Sequence, residues 1–272
     1  MSHIYRPVPF VLISSNHGTM IVNRNDYGTD ANGNAWGIGY QLLKSGSFDH
    51  QEVDFIIGLL QRRRKYFGDG VVALDCGANI GVHTVEMARA MYGWGEVLAF
   101  EAQEKLFYAL AGNLVINNCL NASARHCAVG AACGEMEIPE PNYLIPSSFG
   151  SLELKESERN EFIGQKIDYQ KTRTISQISI DSLKMQRLDL IKLDVEGMEE
   201  DVLTGATESI AKHYPVMMIE ILKTQRYVIE EILSKAGYRC YPLEYMLLAV
   251  HSGDPLAADI KVVNGTLSLG SI

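Results

Sequence analysis

No stretch of these 272 residues is long and apolar enough to cross a bilayer. The apolar patch from Val8 to Ile13 is interrupted by Pro9, and no basic segment leads into a long apolar run, so no signal peptide is expected and the expected location is the cytoplasm. Paired cysteines are missing as well. The five that occur, at 76, 119, 127, 133 and 240, form no Cys-x-x-Cys, which gives neither a zinc site nor a disulfide framework and suits buried thiols in a reducing compartment. Basic charge is scarce: 24 Lys and Arg stand against 33 Asp and Glu, and a net charge of −9 argues against a general affinity for nucleic acid backbone. What remains, at 47% apolar and 21% charged, is an ordinary globular chain with ample material for a core.

The most informative segment begins at residue 71. Val71 to Leu74 is a short, β-branched apolar run suited to a strand buried on both faces of a parallel sheet. It runs into Asp75-Cys-Gly77-Ala78-Asn79-Ile-Gly81, and a helical pattern opens there, with Val82, Val85, Ala88 and Met91 on one face. Gly77 and Gly81 allow a sharp turn and a close approach to a ligand, and the N–H groups at the helix start can hold an anion. A second apolar run ends in Glu101, placed to accept hydrogen bonds from ribose hydroxyls. The third glycine of the dinucleotide fingerprint is absent, and an acid stands two residues before the first glycine. That pattern suits a nucleoside with a positive amino group and no pyrophosphate, as in S-adenosyl-L-methionine.

Strand and helix patterns then alternate. Strands are expected over 71–75, 96–101, 122–129, 188–193 and 215–221, and helices near 80–92, 103–118, 198–212 and 224–236. Two last strands, about 238–249 and 260–268, are expected to form an antiparallel hairpin across 251–255. Residues 130–175 break the rhythm and read as a substrate-side insertion. Ahead of the main domain at 71–272, residues 1–70 read as an extension packing on it: irregular β structure with turn signals at 23–26 and 30–33, then a helix over 49–67. The run Arg62-Arg63-Arg64-Lys65 in the last turns of that helix reads as a solvated cap on the helix dipole, with a phosphate-bearing substrate as the sharper alternative. Repeated βαβ units predict an α/β, doubly wound, mostly parallel sheet whose ligands bind at the strands' carboxyl ends. Asp75, Glu101, His126 to Val129 and Asp194 are therefore expected to share one crevice.

A second acidic constellation lies at 188–201. Glu199, Glu200 and Asp201 are read as partners of a helix dipole, whereas Asp194 and Glu196 precede that helix and are expected to project into the crevice. Glu220 is expected to line the same space, and Lys192, inside its strand, to be paired or turned to the sheet edge. Asp194, Glu196 and Glu220 are hard oxygen ligands that could hold magnesium, but nothing in their spacing demands it and no metal is assigned.

Asp75-Cys-Gly-Ala-Asn-Ile-Gly with His83-Thr84, then Phe100-Glu101-Ala-Gln, then Ile191-Lys-Leu-Asp-Val-Glu-Gly-Met-Glu199 resemble the FkbM-type S-adenosylmethionine-dependent methyltransferases. Asn113 to Asn118, Ala128-Val-Gly130 and Ile180-Asp-Ser-Leu183 add to the resemblance, which covers residues 71–222; Cys76 stands where that family more often has valine. The resemblance implies a Rossmann-like class I fold, a seven-stranded sheet with an antiparallel last strand, acting on hydroxyl groups of sugars or natural products. Carried onto this chain, Asp75, Gly77, Ala78, Asn79 and Gly81 would hold the methionine part, Glu101 the ribose, and His126, Cys127 and Ala128 would border the adenine. His83, Thr84, Ala102, Gln103 and Asp194 complete the implied cofactor set.

A methylsulfonium is already activated, so such an enzyme mainly aligns an oxygen and excludes water, and a general base takes the hydroxyl proton. Asp194 or Glu196 is expected in that role, ahead of His83. The expected partner is a small-molecule hydroxyl acceptor, with neither nucleic acid nor membrane, and a homo-oligomer is compatible with the chain. The rival readings are a nicotinamide-dependent oxidoreductase, since Glu101 would serve its ribose equally well, and a non-catalytic protein retaining the fold.

Overall fold

The two-residue period of a strand sorts this chain's apolar residues onto opposite faces of one sheet. The computed structural model describes residues 6–29, 33–263 and 266–270. Its central sheet contains β1 (Val71–Cys76), β2 (Gly95–Glu101), β3 (Ala122–His126), β4 (Leu190–Leu193), β5 (Val216–Glu220), β6 (Tyr238–Leu243) and β7 (Met246–His251). The strand order is β3-β2-β1-β4-β5-β7-β6. All neighbours run parallel except β7, which is antiparallel to both β5 and β6. This is the expected doubly wound α/β sheet with its last strand reversed.

The described helices are α1 (Ile38–Ser45), α2 (His50–Phe67), α3 (Val82–Ala90), α4 (Glu104–Ile116), α5 (Glu199–Thr204), α6 (Thr207–His213) and α7 (Arg226–Lys235). One face of the sheet presents Ala73, Ala99, Leu190, Met218 and Leu248 to Ile56, Leu60, Val85 and Leu110 of α2, α3 and α4. The other presents Leu74, Phe100, Ile191, Ile219 and Leu247 to Val202, Ile210, Ile229 and Leu233 of α5, α6 and α7. Met20, Val22 and Leu42, from before residue 50, belong to the first of these buried clusters.

Several boundaries differ from the sequence reading. The expected strand 238–249 is two strands, because Leu243 pairs with Met246 around a two-residue turn at Glu244 and Tyr245. Glu244 adopts φ 46° without the Asn-Gly or Gly-x signal that marks such turns. The expected hairpin across 251–255 is absent; Ile260–Val263 pairs instead with Thr266–Leu269. The expected helix 198–212 breaks after Thr204, where the Asp181 carboxylate accepts the N–H groups of Glu208 (3.0 Å) and Ser209 (2.7 Å) and starts α6 afresh. The strand expected over 122–129 ends at His126, and Ala128–Val129 joins a separate three-stranded sheet built with Gly134–Pro139 and Thr172–Ile178 of the insertion. At the N-terminus a hairpin, Phe10–Ser15 with Gly18–Asn23, precedes α1, a helix where irregular β structure was expected. The turn at 23–26 is present, with Asp26 N–H donating to the Asn23 carbonyl at 3.0 Å, while most of the turn expected at 30–33 lies outside the described residues.

The arginine run is only half a solvated cap. Arg62 and Arg63 are 3% and 4% exposed, and Arg63 donates to both Asp189 and Asp254. Asp189, at the entry to β4, also takes Val72 N–H (2.9 Å) and Arg187 (2.7 Å), so this knot ties α2 to the sheet at the end opposite the crevice. Arg64, paired with Asp69 at 2.7 Å, and Lys65 remain at the surface. The phosphate alternative fails because the inner guanidinium groups already have partners. Removing one member of a buried charged cluster strands the others, so Arg63→Ala should lose about 3–5 kcal/mol of stability and Arg64→Ala less than ~1 kcal/mol. Urea unfolding of the two variants beside the wild type measures the contrast.

Candidate functional site

The chain leaves β1 and β4 in opposite directions at the switch point, and the gap between their ends opens a cavity of about 240 Å³. The two strand ends touch there: Asp194 N–H donates to the Cys76 carbonyl at 3.0 Å. Gly77 has φ +81°, and a Cβ on it would lie 1.7 Å from the Asp194 carbonyl oxygen. Glycine is required at 77 by this crossing of chain on chain. Gly81 likewise stands against Leu110, not against the cavity. At both positions the space a Cβ would fill belongs to the protein's own chain.

Of the expected cofactor residues, Gly77, Ala78, Asn79, His83, Glu101, Ala102, Gln103, Cys127, Ala128 and Asp194 border the cavity. Asp75, Gly81 and Thr84 do not; they stand behind it. Asp75 is fully buried, takes a 2.6 Å hydrogen bond from the Thr84 hydroxyl, and lies 3.9 Å from the Lys192 ammonium. Its counter-charge is therefore a lysine of the protein. His126 is also turned away, with its Nε2 3.0 Å from the Ala102 carbonyl and its ring stacked on Phe107.

Glu101 is fixed by two backbone donors, Asn79 N–H at 2.8 Å and Gln103 N–H at 2.7 Å, one to each carboxylate oxygen. Burial pushes its pKa up to about 7 against these two bonds. Gln103 holds the roof, donating to the Phe149 carbonyl (2.8 Å) and accepting from the Tyr143 hydroxyl (3.0 Å). Asp26 clamps the same roof from the N-terminal side by accepting Gly39 N–H and Phe149 N–H, both at 3.1 Å; burial raises its pKa to about 6.

The far wall is strongly acidic. Lys192 is 2% exposed and is held by Asp194 at 3.0 Å. Burial alone would lower its pKa, but Asp194, Asp75 and Glu52 outweigh that and raise it, so it is a permanent cation. Glu196, at φ 56°, pairs with Lys223 at 2.6 Å, and burial together with Asp194 lifts its pKa to about 8. Burial and Asp194 likewise push Glu220 up to about 9. Asp194, Glu196 and Glu220 each offer a carboxylate oxygen within 4.8 Å of the others, a hard donor set that could hold a divalent cation. Glu199 instead turns back to accept Val195 and Gly197 N–H.

Residues 75–240 match the family description "Methyltransferase FkbM domain". The chain belongs to the FkbM methyltransferase family. Among curated proteins it is 28% identical over 191 residues to "Methyltransferase sdnD" of Sordaria araneosa, covering 61% of this chain and 72% of that protein. It is 28% identical over 152 residues to "Methyltransferase 1" of Beauveria bassiana, covering 51% of this chain and 59% of that one. Among solved structures, the methyltransferase FkbM of Methylobacillus flagellatus is similar over 68% of this chain and 46% of its own, with 20% identity and a TM-score of 0.46.

This FkbM-family methyltransferase builds part of its cavity from outside the matched residues. Trp36, Phe48, Asp49 and Glu52, all before residue 75, form a wall that the sequence reading missed. A signal existed for Glu52: it shares a helix face with Ile56, Leu59 and Arg63, all buried, so an acid lay on the inward stripe of α2.

Burial raises the Glu101 carboxyl above its ordinary 4.5 to about 7, so the folded state binds that proton more tightly than the unfolded chain. Its contribution to stability is then fully present below pH 4.5 and is lost as pH rises through about 7. Glu101→Gln should remove that slope, and unfolding free energies measured from pH 4.5 to 8 would show it.

Proposed function

We propose that this chain is an S-adenosyl-L-methionine-dependent O-methyltransferase whose acceptor is a hydroxyl group on a sugar or natural-product-like small molecule. The observation that carries the reading is Glu101, a carboxylate at the tip of β2 with each oxygen fixed by one backbone N–H and its remaining lone pairs bordering the cavity. A buried carboxylate in that state suits a vicinal diol such as ribose, which brings two donors of its own. Gly77 to Asn79 border the space for the methionine end, and Cys127 to Val129 form an apolar edge for a base. Asp194, 34% exposed at its side chain while held by Lys192, offers charge to a cationic group.

When bound, the cofactor supplies a methyl group already activated by its sulfonium. The chain's part is to align the acceptor oxygen with it and to exclude water. Two segments enclose the acceptor side: residues 36–52 on one wall, and Ser148 to Leu152 with Leu154 of the insertion on the other. Carboxylates of Asp49 and Glu52 on that wall favour an acceptor presenting hydroxyl donors over one presenting phosphate.

Isothermal calorimetry with S-adenosylhomocysteine, with NAD as the comparison, tests the cofactor. Micromolar binding of S-adenosylhomocysteine alone is expected, falling about 10- to 100-fold in Glu101→Ala through loss of hydrogen bonds to a charged group. Tighter binding of NAD, or affinity unchanged in Glu101→Ala, would overturn the reading.

A further inference from the structure

Glu52 and His83 form a pair in the cavity wall that cofactor binding leaves unexplained. Glu52 comes from the first turn of α2 and His83 from the first turn of α3. Glu52 Oε1 lies 3.3 Å from His83 Nε2, with the two side chains 12% and 10% exposed. The contact is close but not aligned as a hydrogen bond, so Nε2 is buried without a bonded partner, and Nδ1 also makes no hydrogen bond among the described residues. Phe48 meets the imidazole edge-on, at 6.2 Å between centroids and 86° between planes, and limits its rotation. Glu52, His83 and Phe48 all border the cavity.

The other candidates for removing a hydroxyl proton are occupied. Asp194 is tied to the buried Lys192 ammonium at 3.0 Å. Glu196 is tied to the Lys223 ammonium at 2.6 Å. Glu52 differs from them: burial alone would raise its carboxyl, but His83 and Lys192 hold it below the usual range. It is an ionised carboxylate beside an imidazole, the arrangement in which one nitrogen is oriented and the other is left basic.

We propose that His83 accepts the hydroxyl proton of the methyl acceptor through Nδ1, and that Glu52 is the positioning residue which holds Nε2 protonated. The inference rests on the methyltransferase reading. As the acceptor oxygen forms its bond to the methyl carbon, the carbon–sulfur bond breaks and its electron pair stays on sulfur. The hydroxyl proton passes to His83, and the imidazolium so formed faces the Glu52 carboxylate. The charged groups around the pair are Asp49 just before α2 and Lys192 and Asp194 at β4, with the Tyr245 hydroxyl facing Asp49 and Glu52.

Nuclear magnetic resonance of the histidine ring nitrogens in the full chain, free and with S-adenosylhomocysteine, tests the pair directly. The expected result is His83 as the Nε2–H tautomer, with a pKa that falls by about one unit in Glu52→Gln and recovers in part in Glu52→Asp. An Nδ1–H tautomer, or a pKa unmoved by Glu52→Gln, would overturn the proposal whether or not an acceptor is turned over. Octyl β-D-glucopyranoside serves as the hydroxyl probe for methyl transfer. His83→Gln and Glu52→Gln should each lower kcat on it by about 100-fold or more, and Glu52→Gln should leave S-adenosylhomocysteine affinity within about twofold. The acid limb of the pH profile should move with the His83 pKa in Glu52→Gln, and full activity of His83→Gln would also overturn the proposal. Failure of the wild type to bind S-adenosylhomocysteine would count against the methyltransferase reading and leave the ring-nitrogen measurement to judge the pair.

Discussion

Lys192 sits in the middle of β4 with 2% of its surface exposed, 3.0 Å from Asp194 and 3.9 Å from Asp75. A buried ammonium is tolerated only when acids surround it, and a buried acid only when it has a cation or fixed donors. Each of these groups therefore needs the others. Asp75 at the end of β1, Asp194 just past β4 and Glu52 on α2 can stand together in an apolar sheet because one cation serves all three. The crevice at the switch point inherits its charge from this arrangement, and Glu220, buried and facing Asp194, keeps its proton to higher pH.

The backbone contact beside Lys192 fixes the same region geometrically. With the Gly77 Cα pressed on the Asp194 carbonyl, the loop after β1 and the loop after β4 cannot shift independently. Asn79 donates from that loop to Glu101, and Gln103 carries the link onward to Phe149 and Tyr143 in the insertion. Asp26 closes the circuit from the N-terminal segment through Phe149 and Gly39. Three stretches far apart in sequence are thereby locked around one cavity by buried polar groups with few alternative partners.

The sheet and the strand-end side of the cavity were legible because their signals are local. Buried strands announce themselves as β-branched apolar runs, and the acids and glycines that end them sit at fixed offsets. Asp194, Glu101 and Gly77 were found that way. Asp75 and Thr84 occupy motif positions yet stand behind the cavity, Thr84 bonded to Asp75 and Asp75 beside Lys192, a pairing that spacing does not show. The turn at Glu244 and Tyr245 was hidden because it lacks turn residues, and the knot at Arg63 because its acids, Asp189 and Asp254, lie 126 and 191 residues away. The N-terminal wall of the cavity was missed for a related reason: Trp36, Phe48, Asp49 and Glu52 carry no motif, and only the fold carries them to the strand ends.

That division has a chemical consequence. Residues 75–240 hold the glycine loop, Glu101 and Asp194, the parts that seat the cofactor on the proposed reading. The acceptor side of that reading draws on α2 and the segment before it, outside the family match, and on the insertion within it. A methyl donor demands the same seat whatever receives the methyl group, whereas acceptors differ in shape and in the proton they must lose. On the proposed reading, His83 stands at the boundary between the two, on the family's helix but paired with an acid from the N-terminal segment. Proton removal would then depend on that segment being docked, so an α2 displaced from the core would leave the cofactor seat intact while uncoupling it from transfer.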